Sequence, residues 1–236
     1  MEKMISVAIL QSNYIPWKGY FDIINSVDYF VVYDEVQFTK NDWRNRNKIK
    51  TPNGTEWISI PVRHNSISQK INETKTVSEL WRKKHLRMLQ TNYGKSPFFD
   101  EIFEILEPVY LEKTDVFLSQ INLSFIQCIC NYLHITTKIL KSEDLHLEGD
   151  RSERLVNACK KLGATHYLSG PAAKSYLDES LFVKEKIKIT YMDYSNYPEY
   201  PQLFPPFSHE VSILDLLFNT GPNATKYMKS FKEYEK

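Results

Sequence analysis

The chain has 236 residues, with 30 Lys+Arg against 29 Asp+Glu and a formal net charge of +1. Hydrophobic residues make up 42% and charged residues 25%, the balance of a globular chain long enough to bury its own core, which excludes disordered, collagen-like and coiled-coil classes. Near-neutrality argues against a nucleic-acid partner held by overall charge, and no stretch reaches the roughly 18 apolar residues of a membrane-spanning helix.

The elements follow in chain order. Ile5 to Leu10 form a short apolar run with β-branched residues and predict a buried strand. Pro16 then starts a helix over 17–26, with Trp17, Tyr20, Phe21 and Ile24 near helical spacing. Tyr29 to Tyr33 predict a second buried strand that ends at Asp34 and Glu35. Strand, helix and strand within about 30 residues make a βαβ unit with parallel pairing. Residues 37–55 read as a polar, basic and aromatic connection with a turn at Pro52-Asn53-Gly54, and 57–62 as a third strand. Residues 64–75 read as an irregular loop.

Amphipathic spacing predicts helices over 77–92, stopped by Gly94, over 97–111, and over 115–133 after an N-cap at Thr114. These three form a helical block at 77–133, read as a subdomain of a single α/β domain spanning 1–236. Strand character returns at 135–140. Asp150 and Glu153 have capping-box spacing for a helix that runs to Leu162. Strands are predicted at 165–169 and 187–192, with short helical pieces between, then helices at 212–219 and from Ala224 onward. The expected fold is α/β and three-layered: a mainly parallel, Rossmann-like sheet of five or six strands with a helical cap.

Cys128, Cys130 and Cys159 show neither a disulfide framework nor zinc spacing. The start, Met1 to Ile5, leads into a short apolar run broken at Gln11, too short for a signal peptide, and the expected compartment is the reducing cytoplasm. No metal motif, P-loop or Gly-x-Gly-x-x-Gly is present, and only 7 glycines are available.

Ligands of open parallel sheets bind outside the carboxyl ends of the strands, so four segments are expected to meet there. The first follows strand one and carries Gln11, Asn13, Tyr14 and Trp17. The second follows strand two and carries Asp34 and Gln37; a carboxylate there could orient a sugar hydroxyl or take a proton. The third alternates Trp43, Arg44, Asn45 and Arg46, where guanidinium forks suit phosphate and the indole suits a base or sugar. A solvated basic face and an RNA-binding arm are alternatives for this stretch. The fourth is His166 to Pro171, whose Ser169 and following amides could donate to a phosphate or a carbonyl. Among six histidines, His85 stands out on its helix beside Trp81 and Tyr93 as a second candidate base.

Six blocks resemble the WbqC-like family in that family's order: Gln11-x-Asn-Tyr-x-Pro-Trp-x-Gly-Tyr-Phe21, Asp34-x-Val-Gln-Phe38, Trp43-x-Asn-Arg-Asn47, Trp81-x-x-x-His85, Tyr167-Leu-Ser-Gly170 and Ser212-x-Leu-Asp-Leu-Leu-Phe-Asn219. The resemblance implies bacterial surface-polysaccharide (O-antigen) biosynthesis and work on nucleotide-activated sugars, such as acyl or aminoacyl transfer to an amino sugar. On that reading the partner is a nucleotide sugar and the donor an acyl thioester or an aminoacyl carrier. The sequence fixes neither the donor or cofactor nor the oligomeric state. Asp34 or His85 would then be catalytic, and Gln11, Asn13, Tyr14, Trp17, Gln37, Trp43, Arg44, Asn45, Arg46 and Ser169 would bind substrate, with Arg44 and Arg46 clamping the diphosphate together. A fainter resemblance links the first βαβ unit to nucleotidylyltransferase-like folds, which implies ATP-dependent adenylyl transfer. Those enzymes carry a His-x-x-His motif after strand one, and this chain has none there. A non-catalytic subunit of a polysaccharide assembly complex is the third reading.

Overall fold

A computed structural model describes residues 4–231. Its centre is an all-parallel sheet of five strands: β1 (Ser6–Leu10), β2 (Tyr29–Val32), β5 (Lys138–Lys141), β6 (His166–Ser169) and β7 (Lys188–Tyr191), in the order β5-β2-β1-β6-β7. The chain builds outward from β1 in one direction, returns, and builds outward in the other. The reversal falls between β1 and β6, so the loops after these two strands diverge to opposite faces and leave a crevice between them.

The central strands β1 and β2 are short and apolar because both faces are covered, while the edge strands β5 and β7 carry lysines and are more exposed. Alternation sends Ala8, Phe30 and Val32 into one apolar cluster and Val7, Ile9 and Val31 into another. The first cluster contains α1 (Lys18–Asn25), α2 (Leu80–Tyr93), α3 (Phe99–Leu111), α4 (Leu118–Tyr132) and α7 (Ile213–Thr220). The second contains α5 (Arg151–Lys161) and α6 (Glu179–Lys184). The block at 77–133 therefore shares one core with α1 and α7. Among the described residues no helix is long and apolar enough to cross a membrane.

Two expectations are corrected. The strand expected at 57–62 is not part of the main sheet: β4 (Gly54–Ser59) pairs antiparallel with β3 (Arg46–Thr51), which lies inside the stretch 37–55 read as a polar, basic and aromatic connection. The basic side chains of β3 masked its period of two. Its inward residues Asn47 and Ile49 are buried, while Arg46 and Lys48 alternate outward. Thr114 does not cap the third helix, which begins four residues later behind Phe117. In the tail, α7 runs straight into a 3-10 turn over Gly221–Tyr227, and the expected helix beyond 231 lies outside the described residues.

That junction depends on a glycine. Gly221 has φ +51°, and a Cβ there would lie 2.3 Å from the Phe98 ring. Gly221→Ala combines a strained backbone with a clash against a packed aromatic ring, and should destabilise the protein by about 2–3 kcal/mol. Urea unfolding followed by circular dichroism would show the midpoint falling at unchanged slope.

Candidate functional site

At the carboxyl ends of the strands lies a cavity of about 760 Å³. Its walls come from the loop after β1, the segments around 33–36 and 43–44, the first turns of α5, the turn after β6, and Tyr194. It occupies the reversal point of the sheet, where the four expected segments were to meet.

The loop after β1 is held from behind by a buried carboxylate. Asp34 Oδ1 accepts from the Ser12 backbone N–H at 2.8 Å, and Oδ2 accepts from the Ser119 hydroxyl. One helical turn along α4, Asn122 Nδ2 donates to Ser12 Oγ at 3.0 Å and to the Arg44 carbonyl at 2.9 Å. Ser119 and Asn122 are three residues apart, on one face of α4. This single face fixes the end of β2, the loop after β1 and the Arg44 loop against one another. Burial raises the Asp34 carboxyl above its ordinary range, while the hydrogen bonds from Ser119 and Ser12 and the Arg44 charge pull it back.

The same loop is tied to the β3 approach. Tyr14 N–H donates to the Trp43 carbonyl at 3.0 Å, and Asn47 Nδ2 donates to the carbonyls of Tyr14 and Ile15 at 3.2 and 2.8 Å. Ile15 has φ +36°, a strained conformation for a β-branched residue, and the Asn47 amide helps to hold it. The Tyr14 side chain points away from the cavity into a buried chain of donors. His85 Nε2–H donates to the Ser59 carbonyl at 3.0 Å, so Nδ1 accepts from the Tyr14 hydroxyl at 2.8 Å. The Tyr14 oxygen in turn accepts from Tyr110 at 2.7 Å. Burial lowers the imidazole to about 4, and His85 is neutral.

Six of the expected residues line the cavity: Gln11, Asn13, Trp17, Trp43, Arg44 and Ser169. Arg44 donates to Asn13 Oδ1 and pairs with Asp42 at 3.6 Å, so its fork is held at the wall. Trp17 packs edge-on against Tyr194 at 5.0 Å between ring centroids, and lies so close over Gly19 that a Cβ there would fall 2.4 Å from the indole. The other six do not line it. Asp34, His85 and Tyr14 are enclosed in the networks just described. Gln37 is exposed and bridges Lys70 through backbone, and Asn45 Nδ2 donates to the Ile60 carbonyl at 2.9 Å. Arg46 stacks on Trp57 with its guanidinium 4.0 Å from the ring centroid and donates to the Asn41 carbonyl. The expected clamp of Arg44 with Arg46 is therefore divided: the two side chains serve different surfaces of the chain.

The sequence reading missed the opposite wall. Arg151 and Arg154, on the first turn of α5, line the cavity with Tyr33, Tyr176 and Tyr194. Arg154 Nη2 donates to the Leu147 carbonyl at 3.2 Å and pairs with Glu35 at 3.7 Å, and its guanidinium lies 5.7 Å from the Tyr33 ring centroid. The Asp150–Glu153 capping box was the available signal, since Glu153 Oε2 accepts from the Asp150 N–H at 3.1 Å and fixes where α5 begins. Tyr194 stands on an irregular segment pinned by two buried carboxylates. Asp22 accepts from Tyr197, and Asp215 accepts from Tyr200 at 2.8 Å and Tyr93 at 3.0 Å.

The sequence profile of the WbqC-like protein family matches residues 11–227. The chain belongs to the WbqC-like protein family. It is 48% identical over 227 residues to "Uncharacterized protein Rv1507c" of Mycobacterium tuberculosis, a match that covers 96% of this chain and 98% of that protein. No solved structure matches it. The match to the WbqC-like profile takes in all the residues lining the cavity except Ile9 and Leu10 at the end of β1.

Two outcomes test this architecture. Asp34→Ala leaves the Ser12 N–H and the Ser119 hydroxyl without their acceptor, and should cost on the order of 3 kcal/mol in chemical unfolding. The second concerns His85. Its folded value, about 4, lies below the ordinary 6.5, so the unfolded chain takes up the proton first. The stabilising contribution is complete above pH about 6.5 and is lost as pH falls towards 4. Asp34 and Asp215, both raised by burial, act with the opposite sign just above their ordinary value. Between pH 7 and 4.5 the parent should therefore lose on the order of 2 kcal/mol more stability than His85→Gln, which lacks the imidazole. Parallel curves for the two proteins would show that this ring does not titrate with folding.

Proposed function

We propose that the protein is an enzyme of surface-polysaccharide biosynthesis that transfers an acyl or aminoacyl group to the amino group of a nucleotide-linked sugar. The observation that carries this reading is the lining of the cavity at the sheet reversal. Guanidinium groups, aromatic faces and amide side chains stand together in about 760 Å³, within the roughly 300–1,000 Å³ of small-molecule sites. Arginine forks suit phosphate oxygens. Trp17, Trp43 and Tyr194 offer faces to a base or sugar ring, and Gln11 and Asn13 offer both donors and acceptors to hydroxyls.

In the transfer, the sugar amine attacks the donor carbonyl. A C–N bond forms, the bond to the carrier breaks with its electron pair leaving on the carrier, and the amine must shed a proton. Asp150 is the one carboxylate among the residues lining the cavity, and on this reading it accepts that proton. The Ser169 region offers backbone N–H groups to the developing oxyanion. No Cys or His is among the lining residues, and the reading is a direct transfer between two bound substrates.

A panel of nucleotide sugars, with and without a free amino group, tests the reading by thermal shift. A ligand at a hundred times its Kd contributes about 2.7 kcal/mol, which should raise Tm by roughly 5–10 °C. Nucleotide-linked amino sugars should give the largest shifts. Incubation with acyl-thioester and aminoacyl donors should then yield a sugar heavier by the acyl group, with initial rates that intersect rather than run parallel. Absence of stabilisation by every nucleotide sugar would overturn the proposal.

A further inference from the structure

We infer that Arg44, Arg151 and Arg154 together form a diphosphate subsite, closed from both faces of the sheet. The inference rests on the nucleotide-sugar reading for its biological ligand, and on geometry alone for its chemistry. Arg44 reaches the cavity from the layer of α1 and α4, where Asn122 holds its carbonyl and Asn13 its guanidinium. Arg151 and Arg154 reach it from α5, which packs on the opposite face. The crossover from β5 to β6 carries α5 past the ends of β2 and β1, and this brings three cations of one cavity together from two layers.

The charge balance of the cavity shows what is missing. Three arginines line it against one carboxylate, Asp150. Arg44 has Asp42 at 3.6 Å, and Arg154 has Glu35 at 3.7 Å, both longer than a hydrogen bond. Arg154 Nε and Glu35 Oε2 are both buried with no hydrogen-bond partner, so the Arg154 fork is only half engaged. Arg151 makes no ion pair among the described residues and lies exposed at the mouth. Like charges gathered in a concave site are unfavourable until an anion joins them. A diphosphate carries charge on two groups and can span forks that approach from two sides, whereas a single carboxylate meets one. Tyr33, beside Arg154, adds a phenolic donor to the same wall.

Calorimetry with inorganic pyrophosphate and with inorganic phosphate tests the subsite without a nucleotide or a sugar. Pyrophosphate should bind the parent more tightly than phosphate, with an affinity that falls as salt rises. Arg151→Ala should weaken pyrophosphate at least about tenfold, and its ligand-free Tm should stay level or rise, because a repulsive charge leaves and no contact is lost. Arg154→Lys should keep the fold, retain the charge and still lose affinity, since an ammonium cannot reproduce the fork. Pyrophosphate that fails to bind the parent at millimolar concentration, or that binds Arg151→Ala and Arg154→Lys within about twofold of the parent, overturns the inference. Pyrophosphate binding that depends on these arginines, with no nucleotide sugar bound, keeps the subsite and removes the nucleotide-sugar reading. Nucleotide-sugar binding indifferent to both variants does the reverse.

Discussion

The cavity depends on one buried carboxylate. Asp34 follows the second strand by two residues, and its two oxygens reach the backbone of the first loop and the hydroxyl of Ser119 on α4. Those two bonds decide where the first loop sits, and Asn122 extends the same helix face to Ser12 and to Arg44. Gln11 and Asn13 project into the cavity because Ser12, between them, is turned away and fixed. Burying a carboxylate is unfavourable unless its oxygens are satisfied. Here they are, and the burial that raises its pKa is the same burial that gives the bonds their strength. A residue type expected to act on substrate instead orders the residues that face the cavity.

His85 illustrates the same division. Its two nitrogens join the hairpin through Ser59, the first loop through Tyr14 and α3 through Tyr110 beyond it. A base needs a free lone pair and access to the proton it takes. The one lone pair of this neutral ring is already occupied by the Tyr14 hydroxyl. The geometry makes His85 a connector between layers, with the motif spacing Trp81-x-x-x-His85 placing both rings against Tyr14 from one helix face.

Much of this was legible in the sequence. Short apolar runs located the two central strands β1 and β2, which are buried between the helical layers. The edge strands and β6 were located by shorter, more polar runs between helical segments. The alternation of such runs with helical periods gave the fold class, and the rule that ligands sit at strand carboxyl ends then brought Gln11, Asn13, Trp17, Trp43, Arg44 and Ser169 to one place. The hairpin was not legible. Its outward face carries Arg46 and Lys48 beside the half-exposed Trp57, so its pattern reads as a charged loop. Direction was not legible either. An alternating Arg-x-Arg puts both side chains on one side only if the segment is already extended at both positions, and β3 begins at Arg46, after Arg44. The chain turns between the two arginines and sends one to the cavity and the other to Trp57.

The second wall escaped for a different reason. Arg151 and Arg154 lie far along the chain from the first βαβ unit, and their spacing is that of any helix with a solvated face. Only the strand order shows that α5 starts beside the cavity. Had β6 been added outside β5 instead of beside β1, the same sequence of elements would have carried these arginines away from Arg44. The insertion of the returning crossover next to β1 both makes the reversal point and supplies the charges that fill it. The site is therefore a property of topology as much as of composition. Residues from the first 44 positions provide one cation and the amides, and the helix that crosses back over the sheet provides the other two.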